Sequence, residues 1–117
     1  MLKKINRLTK KKDIGALMKH GKPVYFLFLI IKYKQNSLPY PRFAIVVSTK
    51  VSKKATKRNL IKRRISEIVR LNLAKIAKGY DIVVIVSPKI INNLGKTATY
   101  EEIEKNLLGA FKKVKLI

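Results

Sequence analysis

Between residues 56 and 78, isoleucine and valine recur at helical spacing. Ile61, Ile65, Ile68, Val69 and Ile76 fall on one side of a helical wheel, with Asn72 the single polar member, while Asn59, Lys62, Arg63, Ser66 and Arg70 fall on the other. A segment divided in this way folds as a helix with one anchored face, and the rest of the chain must supply the apolar layer beneath it. The helix is expected over 56–78, stopping near Gly79. Its other face is defined by charge. Lys50, Lys53, Lys54, Lys57, Arg58, Lys62, Arg63 and Arg64 follow one another with no acid among them, and Glu67 is the first to interrupt the series. A charge run is ordinarily a solvated face, but such faces mix both signs so that i,i+4 pairs form. Here like charges repel until an anion arrives. Arg forks match phosphate oxygens and Lys adds mobile point charge, so a polyanion is the natural occupant. Arg64 lies nearer the apolar flank, where its stem packs and its head reaches water, which makes it a lesser contact.

Size and composition bound the remainder. A chain of 117 residues with 47% hydrophobic residues is long enough for one core, so residues 1–117 are expected to form a single folded domain despite a net charge of +22. That charge narrows the partners to RNA, DNA or an anionic membrane, and self-repulsion favours a monomer. With no cysteine, neither disulfides nor thiolate metal sites are available, which suits the cytoplasm. The longest apolar run, 24–31, is far too short to span a membrane, and no apolar signal-peptide region follows the basic start.

Along the chain, residues 1–8 read as a basic arm carrying Lys3, Lys4 and Arg7. Thr9 is the expected N-cap of a helix running to His20, with Asp13 in its first turn, Ile14, Leu17 and Met18 on its apolar side and Gly21 as its stop. Gly15 within it costs about 1 kcal/mol relative to Ala, for which a close helix–sheet approach is the structural explanation. Residues 24–34 read as one strand, apolar on both faces and therefore central or covered twice, turning basic at Lys32, Tyr33 and Lys34. Tyr33 between two lysines suits either a nucleotide contact or the edge of the core. A loop over 35–41, a strand over 43–48 and a basic loop over 49–57 lead into the main helix. A strand over 82–86 and a loop over 87–98 follow it. Thr99 with Glu102 three residues later makes a capping box for a last helix through Lys113, its core stripe formed by Ile103, Leu107, Ala110, Phe111 and Val114. The order predicts an α/β (α+β) two-layer sandwich with helices on a small mixed sheet.

The inventory for independent chemistry is thin. His20 is the only histidine, and a helix end explains it as well as catalysis does. Glu101, Glu102 and Glu104 gather at a helix start as caps, Asp13 and Asp81 are isolated, and no phosphate loop, zinc motif or paired-metal carboxylate pattern is present. No catalytic residue is assigned, metal-contacting residues stay undefined, and the chemistry is expected to lie on a partner.

One string gives this reading a family. Ala55-Thr56-Lys57-Arg58-Asn59-Leu60-Ile61-Lys62-Arg63 resembles the signature of the bacterial ribonuclease P protein component: Ala, two residues, Arg-Asn, a basic or Leu residue, an aliphatic residue, then basic-Arg. The preceding Arg42-Phe43-Ala44-Ile45-Val46-Val47-Ser48-Thr49-Lys50 is similar to the family's strand and Ser-x-Lys turn. Asn6-Arg7-Leu8, Lys19-His20-Gly21 and Gly79-Tyr80-Asp81 also fit, in the right order over nearly the whole chain. Leu60 stands where the commonest form has a second Arg, Ser52 replaces a usual Gly, and one Lys is added at 53–54.

The resemblance implies a left-handed β-α-β crossover around the main helix, where general handedness rules give a right-handed one. It implies a protein subunit that assists a catalytic RNA in the Mg²⁺-dependent removal of the 5′ leader from precursor tRNA, so that the chain is part of an endonuclease only in complex. By the same resemblance Arg58, Asn59, Lys62, Arg63 and Arg70 contact the RNA subunit, with Lys50, Lys53, Lys54 and Lys57 extending the footprint. Arg7, Ile14, Met18 and either Lys32 or Tyr33 would line the cleft for the leader. Ile14 and Met18 stand where many relatives carry aromatics, so weaker base stacking, offset by charge, is expected. Asn59 fits a 2′-hydroxyl or phosphate contact and a loop brace equally well. The alternative is a structural RNA binder of the ribosomal-protein type. DNA reading is disfavoured by the absence of a base-reading helix face, and membrane binding by the absence of aromatic anchors.

Overall fold

The computed structural model describes residues 2–117; Met1, the first residue of the expected basic arm, lies outside them. Seven main elements follow in the order α1 (Lys11–His20), β1 (Lys22–Phe26), β2 (Leu29–Gln35), β3 (Arg42–Val46), α2 (Ala55–Leu71), β4 (Tyr80–Val86) and α3 (Tyr100–Lys113). The four strands form one mixed sheet in the order β1-β2-β4-β3. β1 and β4 pair antiparallel with β2, while β3 lies parallel to β4 across the α2 connection. The α+β class and element order are those expected. The layering differs from two: α1 covers one face of the sheet, and α2 and α3 cover the other.

That division explains the strands that are apolar on both sides. On β4, Ile82, Val84 and Val86 join the large core with Ile61, Ile65 and Ile68 of α2 and Ile103, Leu107 and Phe111 of α3. Val83 joins Leu8 and Leu17 in a smaller cluster, against which Ile14, Met18, Ala44, Val46 and Ile85 pack. A strand with helices on both faces carries no polar alternation.

Three local expectations change. The segment 24–34 is not one strand but a hairpin, turning at Leu27 and Phe28 without a turn residue of the usual kind. Leu27 takes φ +50° and points its side chain into solvent, while Phe28 stays partly packed on the core. The segment 2–8 is not a free arm. Leu2, Asn6 and Leu8 are buried, the Asn6 amide donates to the Pro41 carbonyl at 2.8 Å, and the Leu8 N–H donates to the Phe43 carbonyl at 2.8 Å. With residue 8 held on β3, the chain turns into α1 later than expected. Lys10 takes the N-cap place and Thr9 makes no cap bond. The third change is in α2, which stops at Leu71. The Asn72 side-chain amide donates to the Ile68 carbonyl at 2.8 Å and its N–H reaches both Ile68 and Val69 carbonyls, after which a 3₁₀ turn over Leu73–Lys75 returns Ile76 to the core. The one polar residue in the stripe is the one that ends the helix.

The last helix is as expected. Thr99 Oγ1 accepts from the Glu102 N–H at 3.2 Å and Glu102 returns a bond to the Thr99 N–H at 3.0 Å. These bonds hold the Glu102 carboxyl below its ordinary value. Its stabilising share is therefore complete above the unfolded value near pH 4.5 and lost as pH falls through the lower folded one. Thr99→Ala is expected to cost about 1 kcal/mol, and thermal melts of Glu102→Ala should converge on the parent as the solution is acidified.

The glycine inside α1 and the glycine that ends it are opposites. A Cβ on Gly15 meets nothing within 4 Å, so close packing is not why it is there; a Cβ on Gly21 comes within 2.5 Å of the Leu17 carbonyl oxygen and 3.1 Å of Lys32 Cβ. Gly15→Ala is expected to stabilise by about 1 kcal/mol and Gly21→Ala to destabilise by about 2 kcal/mol. Equal melting shifts for the two would contradict this.

Candidate nucleic-acid interface

The basic residues of 50–64 do not act alike once the chain is folded. The half-buried Arg58 guanidinium donates to the Ser52 carbonyl at 2.9 Å and so braces the loop leading into α2. Lys57 Nζ reaches the Gly95 carbonyl at 3.3 Å, and Arg64 reaches the Ala98 carbonyl at 2.9 Å. Those three hold neighbouring loops. Asn59, Lys62 and Arg63 are exposed and share a shallow groove with Thr56, Ser66 and Glu67, while Lys50, Lys53 and Lys54 lie exposed on the loop before the helix. Asn59 makes no cap, so the loop is braced by Arg58 instead. Arg70 pairs with Glu67, one turn back, through Nε at 3.1 Å and through a second, closer bond. The pairing raises the Arg70 guanidinium and lowers the Glu67 carboxyl, so Arg70 brings less net charge to the face than its neighbours.

On the opposite side of the sheet, Ile14 and Met18 pack against the small cluster of Leu8, Leu17 and Val83, as do Ala44, Val46 and Ile85. Lys32 pairs with Val83 in the sheet and shares its face, and its ammonium donates to the Met18 carbonyl at the end of α1. Tyr33 belongs to the other face, its ring 6.0 Å from Tyr80 at 60°. Lys32, not Tyr33, therefore shares the side of α1. Arg7 donates through Nε to the Leu2 carbonyl at 2.9 Å.

β3 is an edge strand, and this joins the two regions. A groove of about 370 Å³ runs past its outer edge, with Arg7, Thr9 and Ile14 on one wall and Lys62 and Ser66 of α2 on the other. Nothing in the sequence places residue 14 opposite residue 62. Sequence reasoning also missed a network behind the site. The Arg42 guanidinium grips the Asp81 carboxylate with two bonds, at 2.8 and 2.7 Å, and the Asn36 amide adds a third at 2.8 Å. Asp81 and Arg42 are direct partners across β3 and β4, which only the register reveals. The carboxylate raises the Arg42 guanidinium further above its ordinary value.

Among the described residues no three His, Asp or Glu side chains converge to hold a metal ion, and no helix is long and apolar enough to cross a membrane. The side chains around these grooves are mostly cationic, amide, hydroxyl and apolar, with Glu67 among them. They suit contact with a sugar–phosphate backbone and with unpaired bases.

Comparison with known proteins agrees. Residues 2–115 match the family Ribonuclease P. The ribonuclease P protein component of Fusobacterium nucleatum is 35% identical, over 97% of this chain and 100% of its own length. That of Alkaliphilus metalliredigens is 38% identical, over 96% of both chains. The solved RNase P protein from Thermotoga maritima superposes with a TM-score of 0.82 at 34% identity, covering 92% of this chain and 96% of that one. A Staphylococcus aureus RNase P protein gives 0.80 at 28%, covering 95% and 96%. With fold, ordered motifs and exposed basic helix in agreement, the chain belongs to the bacterial ribonuclease P protein family, the protein subunit of the holoenzyme that processes the 5′ leader of precursor tRNA.

Proposed function

We propose that the exposed face of α2 binds the catalytic RNA subunit and that the groove beside α1 receives the single-stranded 5′ leader. Lys62 and Arg63 meet phosphates, Asn59 hydrogen-bonds a 2′-hydroxyl or phosphate, and Lys50, Lys53 and Lys54 extend the contact. Lys57 and Arg58 support that surface from within the protein while adding charge, and Arg70 borders it. Arg7, Ile14, Met18 and Lys32 form the leader side, where cationic ends flank an apolar floor. The observation that carries this reading is the shared groove: Lys62 and Ser66 of the basic helix face Arg7 and Ile14 across the β3 edge. Two RNAs can thus be held against one small cationic body, which lowers their mutual repulsion.

Among the described residues no three acidic or histidine side chains are placed to hold a metal ion, and the metal of the holoenzyme belongs mainly to the RNA partner in this reading. The chain orients and neutralises; it moves no proton. Residues 1–117 act as one domain, as a monomer in the cytoplasm, with the RNA subunit and precursor tRNA as partners.

The test is leader removal from a precursor tRNA at low Mg²⁺, comparing the chain, a bacterial ribonuclease P RNA, and both together. Cleavage in the mixture alone, with affinity that grows when a leader is present, is the expected result. Tight RNA binding without stimulation would favour a structural RNA-binding role instead.

A further inference from the structure

Tyr33, set apart from Lys32 by the pleat, lines a different cavity. It has a volume of about 550 Å³ and lies at the end of the sheet, where His20, Lys22, Lys34, Gln35 and Tyr80 surround Tyr33. We propose that this cavity is a second nucleotide pocket, which takes one further nucleotide of the single-stranded leader beyond the leader side formed by Ile14, Met18 and Lys32. The proposal rests on the leader reading above and adds a site to it.

The chemistry of the walls supports a nucleotide. Tyr33 and Tyr80 are partly packed on the core, which fixes their rings, and their remaining surface faces the cavity. Fixed aromatic surface is what an unstacked base seeks, whatever its identity. Lys22 and Lys34 are exposed and no acid lines the cavity, so a phosphate is attracted from two sides. Gln35 offers an amide donor and acceptor for a base edge.

The pocket is also built in advance. Its loop wall is held by the Asn36 N–H on the Gly79 carbonyl at 2.8 Å and by the Leu38 N–H on Asn36 Oδ1 at 2.8 Å. Ser37 and Gly79 both take positive φ, at 59° and 84°. The nearby Asp81 carboxylate is turned to the α1 face and taken up by Arg42 and Asn36, so it does not oppose an anion here. Position follows from the chain itself. The Lys32 ammonium bonded to the Met18 carbonyl marks the last turn of α1, and His20 and Lys22, which line the pocket, follow directly around the tight turn at Gly21. An RNA strand that follows α1 past Met18 to its end meets this cavity next.

The experiment uses the reconstituted holoenzyme and precursor tRNAs whose leaders are lengthened one nucleotide at a time. Affinity should rise in two steps, the first for the groove and the second for the pocket. Lys22→Ala combined with Lys34→Ala, both exposed and harmless to folding, should remove about tenfold from long-leader binding and leave short-leader binding unchanged. Tyr33→Leu, checked for an intact melting transition, should act in the same direction. Lys32→Ala should weaken both substrates. A single step, or pocket variants that weaken short and long leaders alike, would overturn the pocket while leaving the groove intact. Indifference to any leader, with Lys32→Ala silent, would instead sink the leader reading itself. A free nucleoside monophosphate that fills the cavity with no leader-length effect would assign it to a small molecule and also overturn the proposal.

Discussion

Changing Lys62 and Arg63 together to alanine is expected to weaken binding of the ribonuclease P RNA about 100-fold, roughly tenfold for each charge-assisted contact. The slope of log affinity against log salt should become shallower by about two, because two fewer counterions are released. The melting temperature should not fall, since both side chains are exposed and neither is bonded to another part of the protein in a way that holds an element. Relief of like-charge repulsion along α2 even favours a small rise. Arg58→Ala is the informative contrast. Its guanidinium is engaged on the Ser52 carbonyl, so the variant should lose about 1 kcal/mol of stability and unsettle the basic loop. Gel-shift or filter-binding titrations across a salt series, paired with thermal melts, separate the two behaviours. An unchanged salt slope in the double variant would remove α2 from the interface.

Asp81→Ala is expected to cost about 3 kcal/mol of stability, a large loss for a polar residue against the roughly 5–15 typical of a domain. The carboxylate accepts three bonds from Arg42 and Asn36, and its side chain is only 16% exposed, that of Arg42 26%. An ion pair on open surface contributes little, but here removal strands a guanidinium that lies mostly out of water and leaves the Asn36 amide only its 3.3 Å bond to the Tyr40 carbonyl. The loss also frees the wall of the tyrosine pocket, so the variant should weaken long-leader substrates beyond its effect on folding. Chemical denaturation gives the first number and the holoenzyme assay the second. A cost below about 1 kcal/mol would mean that water replaces the lost bonds readily. Replacing Arg42 and Asp81 together with apolar residues should cost less than Asp81→Ala, because no charge is then left alone.

Patterns that act over a few residues were legible in the chain. The apolar stripe of α2, the capping box at Thr99 and the terminus of α1 at His20 each rest on local spacing and stand in the structure, and the loop expected over 35–41 stands but for Gln35, which pairs in β2. Where a local rule met a stronger tertiary one, the reading slipped. The hairpin at Leu27 uses no turn residue because strand pairing and the packing of Phe28 on the core impose the bend. Thr9 loses its cap because Leu8 is already bound to β3.

The candidate site divides in the same way. Sequence by itself determined that the protein has a basic helix face on which Glu67 is the one acid, six acids and one histidine in all, and the ordered motifs of its family. Charge and motif are properties of the chain, present before it folds. The tertiary structure alone decided which of the expected RNA contacts are free and which hold loops, since Arg58 looks like Lys62 and Arg63 until its carbonyl partner is placed, whereas Arg64 already stood apart by its place near the apolar flank. It alone decided that Lys32 faces α1 while Tyr33 faces away, because a pleated strand sends neighbours to opposite sides and only the register says which is which. It alone brought Ile14 opposite Lys62, because an edge position for β3 is a property of the whole sheet.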